Sequence, residues 1–323
     1  MYKVTLPDTP YCKLPFFLAV EEWIARNMPP GEYFFAWRVS PTVICGRNQD
    51  VAAEVNLDYC SKEGIEVYRR KSGGGAVFAD SHNIMFSYIA PSTYVQTAFY
   101  NYTSRVVSAL QELGLGAETT GRNDIAIGGR KVAGNAYWQC EGRSIVHGTM
   151  LYDADVRHMS CALTPEKAKL EAHKVLSVPS RITTIREYRP DISLEQFVEH
   201  MYASICDEEC KLPEYCLPQI LELEKQYYKE SFASLKKCRS SRRIDGVGCI
   251  GVDVTLCSDG RIKSVSLHGD FFSSIDISFV ERRMKGTLAT LENIEKALGD
   301  MPVVVGMNNS ELALLIEKTA TNL

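Results

Sequence analysis

The sequence predicts an α+β fold in two parts: a mixed, mostly antiparallel sheet packed by helices, then a small α+β C-terminal domain. Three observations carry this. Strand-like segments cluster between about residues 33 and 153 instead of alternating regularly with helices, as a doubly wound sheet would require. The pair Gly128-Gly129 lies between the apolar runs Ile125-Ala126-Ile127 and Val132-Ala133, a hairpin signal. A basic, serine-rich stretch, Lys236 to Arg243, interrupts the apolar pattern and reads either as a linker or as a solvated loop within one domain. Taken as a linker, it divides the chain into 1–235, 236–243 and 244–323.

The elements follow in order. Leu14, Phe17, Leu18, Ile24, Ala25 and Met28 recur at helical spacing, predicting an amphipathic helix over 14–28. Tyr33 to Arg38 and Thr42 to Cys45 read as a short strand pair, and Ile65 to Arg70 and Ile84 to Ile89 as further strands. Val106, Val107, Leu110 and Leu113 stripe a helix from about 98 to 113, which Gly114 ends as a cap. The hairpin at 124–138 and a strand at 144–153 complete the sheet, and helices follow at about 165–173, 194–206 and 213–229. Beyond the basic stretch, Cys249 to Cys257, a turn at Ser258-Asp259-Gly260, and Arg261 to Leu267 form a second hairpin, covered by helices near 279–297 and 309–320. Gly246-Val247-Gly248-Cys249-Ile250-Gly251 matches the dinucleotide fingerprint. That motif works only between a strand and a helix, and here a β-branched strand, Val252 to Leu256, follows it.

Composition narrows the classes. A length of 323 residues predicts about two domains, and 45% apolar content is ample for their cores. A net charge of −4 argues against general nucleic-acid affinity. No stretch approaches the ~20 apolar residues of a membrane span, and Met1 to Asp8 has no apolar signal core, so a soluble, cytoplasmic protein is expected. Eleven cysteines, an odd number without a Cys-x-x-Cys pair, read as reduced thiols. Cys206, Cys210 and Cys216 cluster, and the first two fit one helix face, but no histidine follows at zinc-ligand spacing.

Chemistry gathers in three segments. Arg69-Arg70-Lys71-Ser72-Gly73-Gly74-Gly75-Ala76-Val77-Phe78 sets two guanidiniums before a glycine triplet. Consecutive glycine amides form an anion-binding nest, and arginine suits phosphate or carboxylate; alternatively the run is a flexible turn with surface arginines. In Gly121-Arg122-Asn123-Asp124-Ile125-Ala126-Ile127-Gly128-Gly129-Arg130-Lys131-Val132-Ala133-Gly134-Asn135-Ala136, the hairpin brings Asp124 toward Lys131. Ser144-Ile145-Val146-His147-Gly148-Thr149-Met150-Leu151 follows as a strand.

Together these blocks resemble the lipoate–protein ligases of the biotin/lipoate ligase superfamily. The resemblance rests on 69–78, Gly121 to Asp124, Arg130 to Ala136 and His147-Gly148-Thr149. Support comes from Phe17 to Glu22, Ile44 to Gln49, Ser177 to Thr183 and, in the last quarter, His268-Gly269-Asp270-Phe271-Phe272, where bacterial ligases carry an accessory domain. Two departures stand out: Ala79 where the family has histidine, and no aromatic segment in Ser231 to Ser241. The resemblance implies a catalytic domain over 1–235 and an accessory domain over 244–323. It implies ATP-dependent activation of lipoate or octanoate to an acyl adenylate, followed by transfer to a lysine. The acceptors it implies are lipoyl domains of 2-oxoacid dehydrogenase complexes or the glycine cleavage H protein, with no nucleic-acid or membrane partner.

That reaction brings a carboxylate against the α-phosphate of ATP, so a fixed cation is needed between two anions. Lys131 is the expected catalytic residue; otherwise it is a solvated edge-strand lysine. ATP or lipoyl-AMP is expected on Arg70, Ser72, Gly73, Gly74, Gly75, Ala76, Val77, Phe78, Asn123, Asp124, Lys131, His147 and Thr149, with Phe78 stacking on the purine or filling core. Asp124 is the expected Mg2+ ligand, or else a strand-end cap, and His147 either orients its neighbours or is a satisfied core histidine. The alternative is an acyl transferase working from a carrier-protein thioester without ATP. It needs a cysteine nucleophile, and none lies between Gly121 and Lys131.

Overall fold

The computed structural model describes residues 1–7, 13–92, 94–121, 123–164, 181–229 and 241–321. By its contacts the chain divides into two units. Met1–Cys45, Val51–Arg70 and Ala76–Ala233 make the first; Gly46–Asp50, Lys71–Gly75 and Ser234–Leu323 make the second.

Strands of the first unit are β1 (Tyr2–Thr5), β2 (Tyr33–Trp37), β3 (Thr42–Cys45), β4 (Glu66–Arg69), β5 (Val77–Ala79), β6 (Ile84–Pro91), β7 (Ala117–Thr120), β8 (Asp124–Ile127), β9 (Arg130–Cys140), β10 (Arg143–Met150) and β11 (Glu208–Lys211). Eight form one sheet in the order β11-β1-β2-β6-β10-β9-β8-β7, and β4-β3-β5 form a second. In the large sheet only β11-β1 and β1-β2 run parallel. The predicted pairing of 33–38 with 42–45 is therefore wrong: β2 joins β1 and β6, while β3 joins β4 and β5. Arg38 to Pro41 carries the chain from one sheet to the other, which short apolar runs cannot reveal.

The large sheet is covered on both faces, so central β10 is buried throughout and shows no polar alternation. Register places Trp37 opposite Met85, Ser87 opposite His147, and Thr149 opposite Gly134 on one face. The helix Leu14–Asn27 packs there, with Pro15 in its first turn where no N–H bond is lost. It is not amphipathic as predicted: Leu14 to Ala25 are all buried. A second helix, Cys216–Lys229, covers its outer side, where Trp23 Nε1 donates to Gln219 at 2.7 Å and Tyr227 donates to Glu22 at 2.9 Å. On the opposite sheet face Tyr88 meets Tyr102, and Tyr137 meets Phe99, from the helix Val95–Glu112. That helix ends as predicted at Gly114, whose φ is +77° and whose N–H reaches the Gln111 carbonyl at 2.8 Å.

The helix expected at 165–173 and most of the linker at 236–243 lie outside the described residues, as does the 231–240 segment. Cys206 and Cys210 do not share a helix: Cys206 caps Leu194–Ile205, and Cys210 lies in β11. Among the described residues no His/Cys/Asp/Glu cluster suits a metal, every cysteine is a free thiol, and no helix is long and apolar enough to cross a membrane.

In the second unit β12 (Ser241–Ile244), β13 (Gly248–Leu256) and β14 (Ile262–Gly269) form an antiparallel sheet. Val252, Val254 and Leu267 pack against Val280, Met284 and Ile316 from its helices. The span 279–297 holds two helices, Ile277–Met284 and Leu291–Leu298, with Gly286 at φ +85° between them. The Gly-x-Gly-x-x-Gly match leads from the β12–β13 turn into β13, with no helix to receive a pyrophosphate. Within this unit the Asn48 carbonyl accepts from the Gly269 N–H at 2.8 Å, and Arg47 Nη2 donates to Asp276 at 2.9 Å. A Cβ on Gly73 would stand 2.5 Å from the Phe271 carbonyl oxygen, so that glycine answers to a close backbone approach.

Candidate active site

The hairpin of β8 and β9 turns through Gly128 and Gly129, with φ of +57° and +75°, the left-handed pair that a two-residue turn needs. Its ladder then slips. Ala126 faces Lys131, but Ile125 faces Ala133, leaving Val132 as the extra residue of a bulge. Side chains alternate along a strand, so without the bulge Lys131 and Gly134 would point to opposite faces. With it, Lys131, Gly134 and Asp124 share one face, and Lys131 Nζ lies 2.8 Å from Asp124 Oδ1. The lysine bends over Gly134, where a Cβ would be 2.5 Å from Nζ.

This pair borders a cavity of about 190 Å³. Lys131, Gly134 and Thr149 give it a polar side; Val77, Leu151, Met159 and Ile182 give it an apolar one. Of the predicted site residues, the structure brings Ala76, Val77, Phe78, Lys131 and Thr149 to this cavity, with Asp124 on the lysine. Phe78 is buried, and its ring lies nearly parallel to His158 with centroids 6.5 Å apart, so part of it fills core. Asn123 turns to Asn135, whose Nδ2 donates to its carbonyl at 2.7 Å.

Arg70 is buried, and its Nη1 donates to the Ile44 carbonyl at 2.9 Å. Burial, with Arg69 alongside, pulls its guanidinium down to about 10, still cationic at neutral pH. Ser72, Gly73, Gly74 and Gly75 belong to the second unit. His147 is buried on the same sheet face as Thr149, and its Nδ1 meets both carboxylate oxygens of Glu21, at 3.0 and 2.8 Å. Glu21 also accepts from Ser87, which accepts from Trp37 Nε1 at 2.8 Å. Ala79 is fully buried among core residues.

Sequence reasoning missed Gly134, Met159, Leu163 and Arg181 in the cavity wall, and Glu21 behind it. Two signals were available: a glycine inside a strand, which marks close approach, and adjacent acids inside an apolar helix. Asn83 was also missed; it is fully buried, and neither polar atom of its side chain is hydrogen-bonded. Such an atom commonly awaits a ligand or water.

An ammonium held over an apolar slot can neutralise anions that meet there, and one carboxylate can share Mg2+ with substrate phosphates. Burial pushes the Cys45 thiol up to about 11, and among the described residues no cysteine lines the cavity.

Comparison with known proteins agrees. The family model of the lipoyl protein ligase A/B catalytic domain matches residues 14–206, and that of the bacterial lipoate protein ligase C-terminus matches residues 237–317. The chain is 34% identical to lipoate-protein ligase LplJ of Bacillus subtilis over 286 residues, 83% of this chain and 85% of that one. It is also 34% identical to lipoate-protein ligase 1 of Staphylococcus aureus over 298 residues, 88% and 89% of the two chains. Its fold is that of P. falciparum LipL1, solved with lipoate, with a TM-score of 0.78 at 18% identity and coverage of 98% and 99%. A lipoate-protein ligase A bound with ATP matches with a TM-score of 0.60 at 25% identity, over 72% of this chain and 96% of that one. By both family models and both bacterial relatives, this chain belongs to the lipoate-protein ligase family.

Proposed function

We propose that this ligase joins lipoate, or octanoate, to a lysine of a lipoyl domain through an acyl adenylate, with Lys131 as its catalytic cation. The observation that carries the reading is the Lys131 ammonium, 2.8 Å from Asp124 at the edge of a cavity with an apolar wall. In the first step a lipoate carboxylate oxygen attacks the α-phosphorus of ATP, and the bond to pyrophosphate breaks. Lys131 lowers the repulsion between the two anions and holds the charge that builds on the phosphoryl oxygens. In the second step the neutral amine of the acceptor lysine attacks the acyl carbonyl, AMP departs, and the nitrogen loses its proton to solvent.

Arg70, the Ser72–Gly75 loop, Ala76, Val77 and Phe78 bind nucleotide and adenylate through guanidinium and backbone amides. Asn123, Asp124, His147 and Thr149 complete the set, and Asp124 would hold Mg2+, which supplies charge neutralisation at the phosphates. Residues 244–323 serve the activation step. A bi-partite lipoate protein ligase of Thermoplasma acidophilum, solved with its E2 lipoyl domain, is 25% identical with a TM-score of 0.61 over 72% of this chain and 94% of that one. It supports a lipoyl domain as acceptor here; we take that acceptor to be a 2-oxoacid dehydrogenase lipoyl domain, the glycine cleavage H protein or both. Free thiols support a cytoplasmic site of action.

The test is direct. Protein, ATP, Mg2+, lipoate and an apo lipoyl domain are mixed, and the domain is weighed by mass spectrometry. A lipoyl mass increment that needs ATP and survives Cys140→Ala and Cys161→Ala is expected. ATP-free acylation from octanoyl carrier protein, lost with one cysteine, would establish the transferase instead.

A further inference from the structure

Asn135 lies behind the site and does not line its cavity. Its neighbours in β9 alternate faces: Gly134, opposite Thr149, is on the side of Lys131, and Asn135, opposite Gly148, is on the reverse. There Asn135 is 4% exposed. Its N–H donates to the Asn123 carbonyl at 3.0 Å and its Nδ2 to the same oxygen at 2.7 Å, while Asn123 Nδ2 returns a bond to the Asn135 carbonyl.

These bonds extend the β8–β9 ladder one residue beyond Asp124, the first residue of β8, toward a turn where Gly121 has φ +61°. Without them Asp124, paired with Thr120 on one side and Gly134 on the other, would be the last rung of the β8–β9 ladder. Two local features yield to this clasp. The Asn135 Oδ1 is buried without a hydrogen-bond partner, an arrangement that an apolar side chain would avoid. Across the ladder, Gly148 has no side chain where a Cβ would stand 1.9 Å from that oxygen. A satisfied core asparagine explains neither feature; a side chain kept for its Nδ2 explains both.

We propose that Asn135 is a positioning residue for the Lys131–Asp124 pair, acting from the opposite face of the sheet through the Asn123 carbonyl. The inference rests on the adenylating role of Lys131 for its consequence, though not for its geometry. Once the clasp is broken, the 121–124 turn frays, Asp124 leaves Lys131, and the ammonium loses the orientation that its stem over Gly134 sets.

Two measurements on the full chain test this. A crystal structure of Asn135→Ala is expected to show Lys131 Nζ and Asp124 no longer in contact; an unchanged pair on an unchanged turn overturns the proposal whatever the enzyme's substrate. In lipoate-dependent pyrophosphate exchange, Asn135→Ala is expected to lower kcat about tenfold, with KM for ATP and lipoate within about twofold. Made in an Asp124→Asn background, it should cost less than about twofold more, because its effect passes through Asp124. A full further tenfold loss there would show a merely structural role. Should Asn135→Ala fail to fold, Asn135→Asp keeps the size of the side chain but replaces the donating Nδ2 with an oxygen that cannot donate to the Asn123 carbonyl, and the same non-additivity with Asp124→Asn decides. Wild-type protein without lipoate-dependent exchange would count against the adenylation reading alone, leaving the crystallographic arm to judge the clasp.

Discussion

Two glycine-rich segments, the Gly128-Gly129 turn and the Gly73-Gly74-Gly75 loop, look alike in sequence and exist for different reasons. In the hairpin both glycines have positive φ, and nothing but the Tyr188 hydroxyl stands near either. Their demand is conformational and local. In the loop, Gly74 has φ +90°, whereas Gly73 meets the Phe271 carbonyl and Gly75 has open space around it. One glycine of the triplet is needed for its backbone angle, one for its neighbour, and one for neither. A run of identical residues is thus a set of separate constraints, and only those set by local φ belong to the loop itself.

The hairpin's purpose gives the largest expected effect. Lys131→Ala should lower lipoate-dependent pyrophosphate exchange by about 10²- to 10³-fold, the cost of losing a preorganised charge, with the melting temperature nearly unchanged. Near-normal exchange would mean that the hairpin delivers no catalytic group. Within the loop, Gly73→Ala should destabilise the second unit by about 1–3 kcal/mol in urea unfolding, because the methyl group meets backbone that must shift. Gly75→Ala should be nearly silent in the same measurement, and equal losses at the two positions would erase the distinction between them. The turn falls between those two. Gly129→Ala should cost about 1–2 kcal/mol, and Gly129→Asn clearly less, because asparagine tolerates the left-handed region.

The same division explains what the sequence revealed. The Gly-Gly hairpin, the Gly114 cap and the approach of Asp124 to Lys131 follow from local spacing, and each stands where it was expected. The β-bulge at Val132 was not legible, although it turns Lys131 to the side of Gly134, because bulges arise from how two strands settle together. The separation of β2 from β3 was hidden for a similar reason: a four-residue apolar run says nothing about which partner it finds. Edge strand β11, Glu-Glu-Cys-Lys, carries charge where strands are usually apolar and depends on its parallel partner β1. The polar chain from His147 through Glu21 and Ser87 to Trp37 joins residues from four separate elements, so only a fold could assemble it.

That chain has an optical consequence. Trp37 stacks on Phe17 with ring centroids 4.7 Å apart, and its indole N–H is tied through Ser87 and Glu21 to His147, which lies two residues from Thr149 on the same face of β10. On the proposed reading, an acyl group entering beside Thr149 would change the surroundings of this indole, whose emission responds to them. Titrating lipoate into the protein should therefore change intrinsic fluorescence with a saturating curve, and Trp37→Phe should remove most of the change while Trp23→Phe keeps it. The molecule would then carry its own reporter of occupancy, readable without label, acceptor protein or turnover.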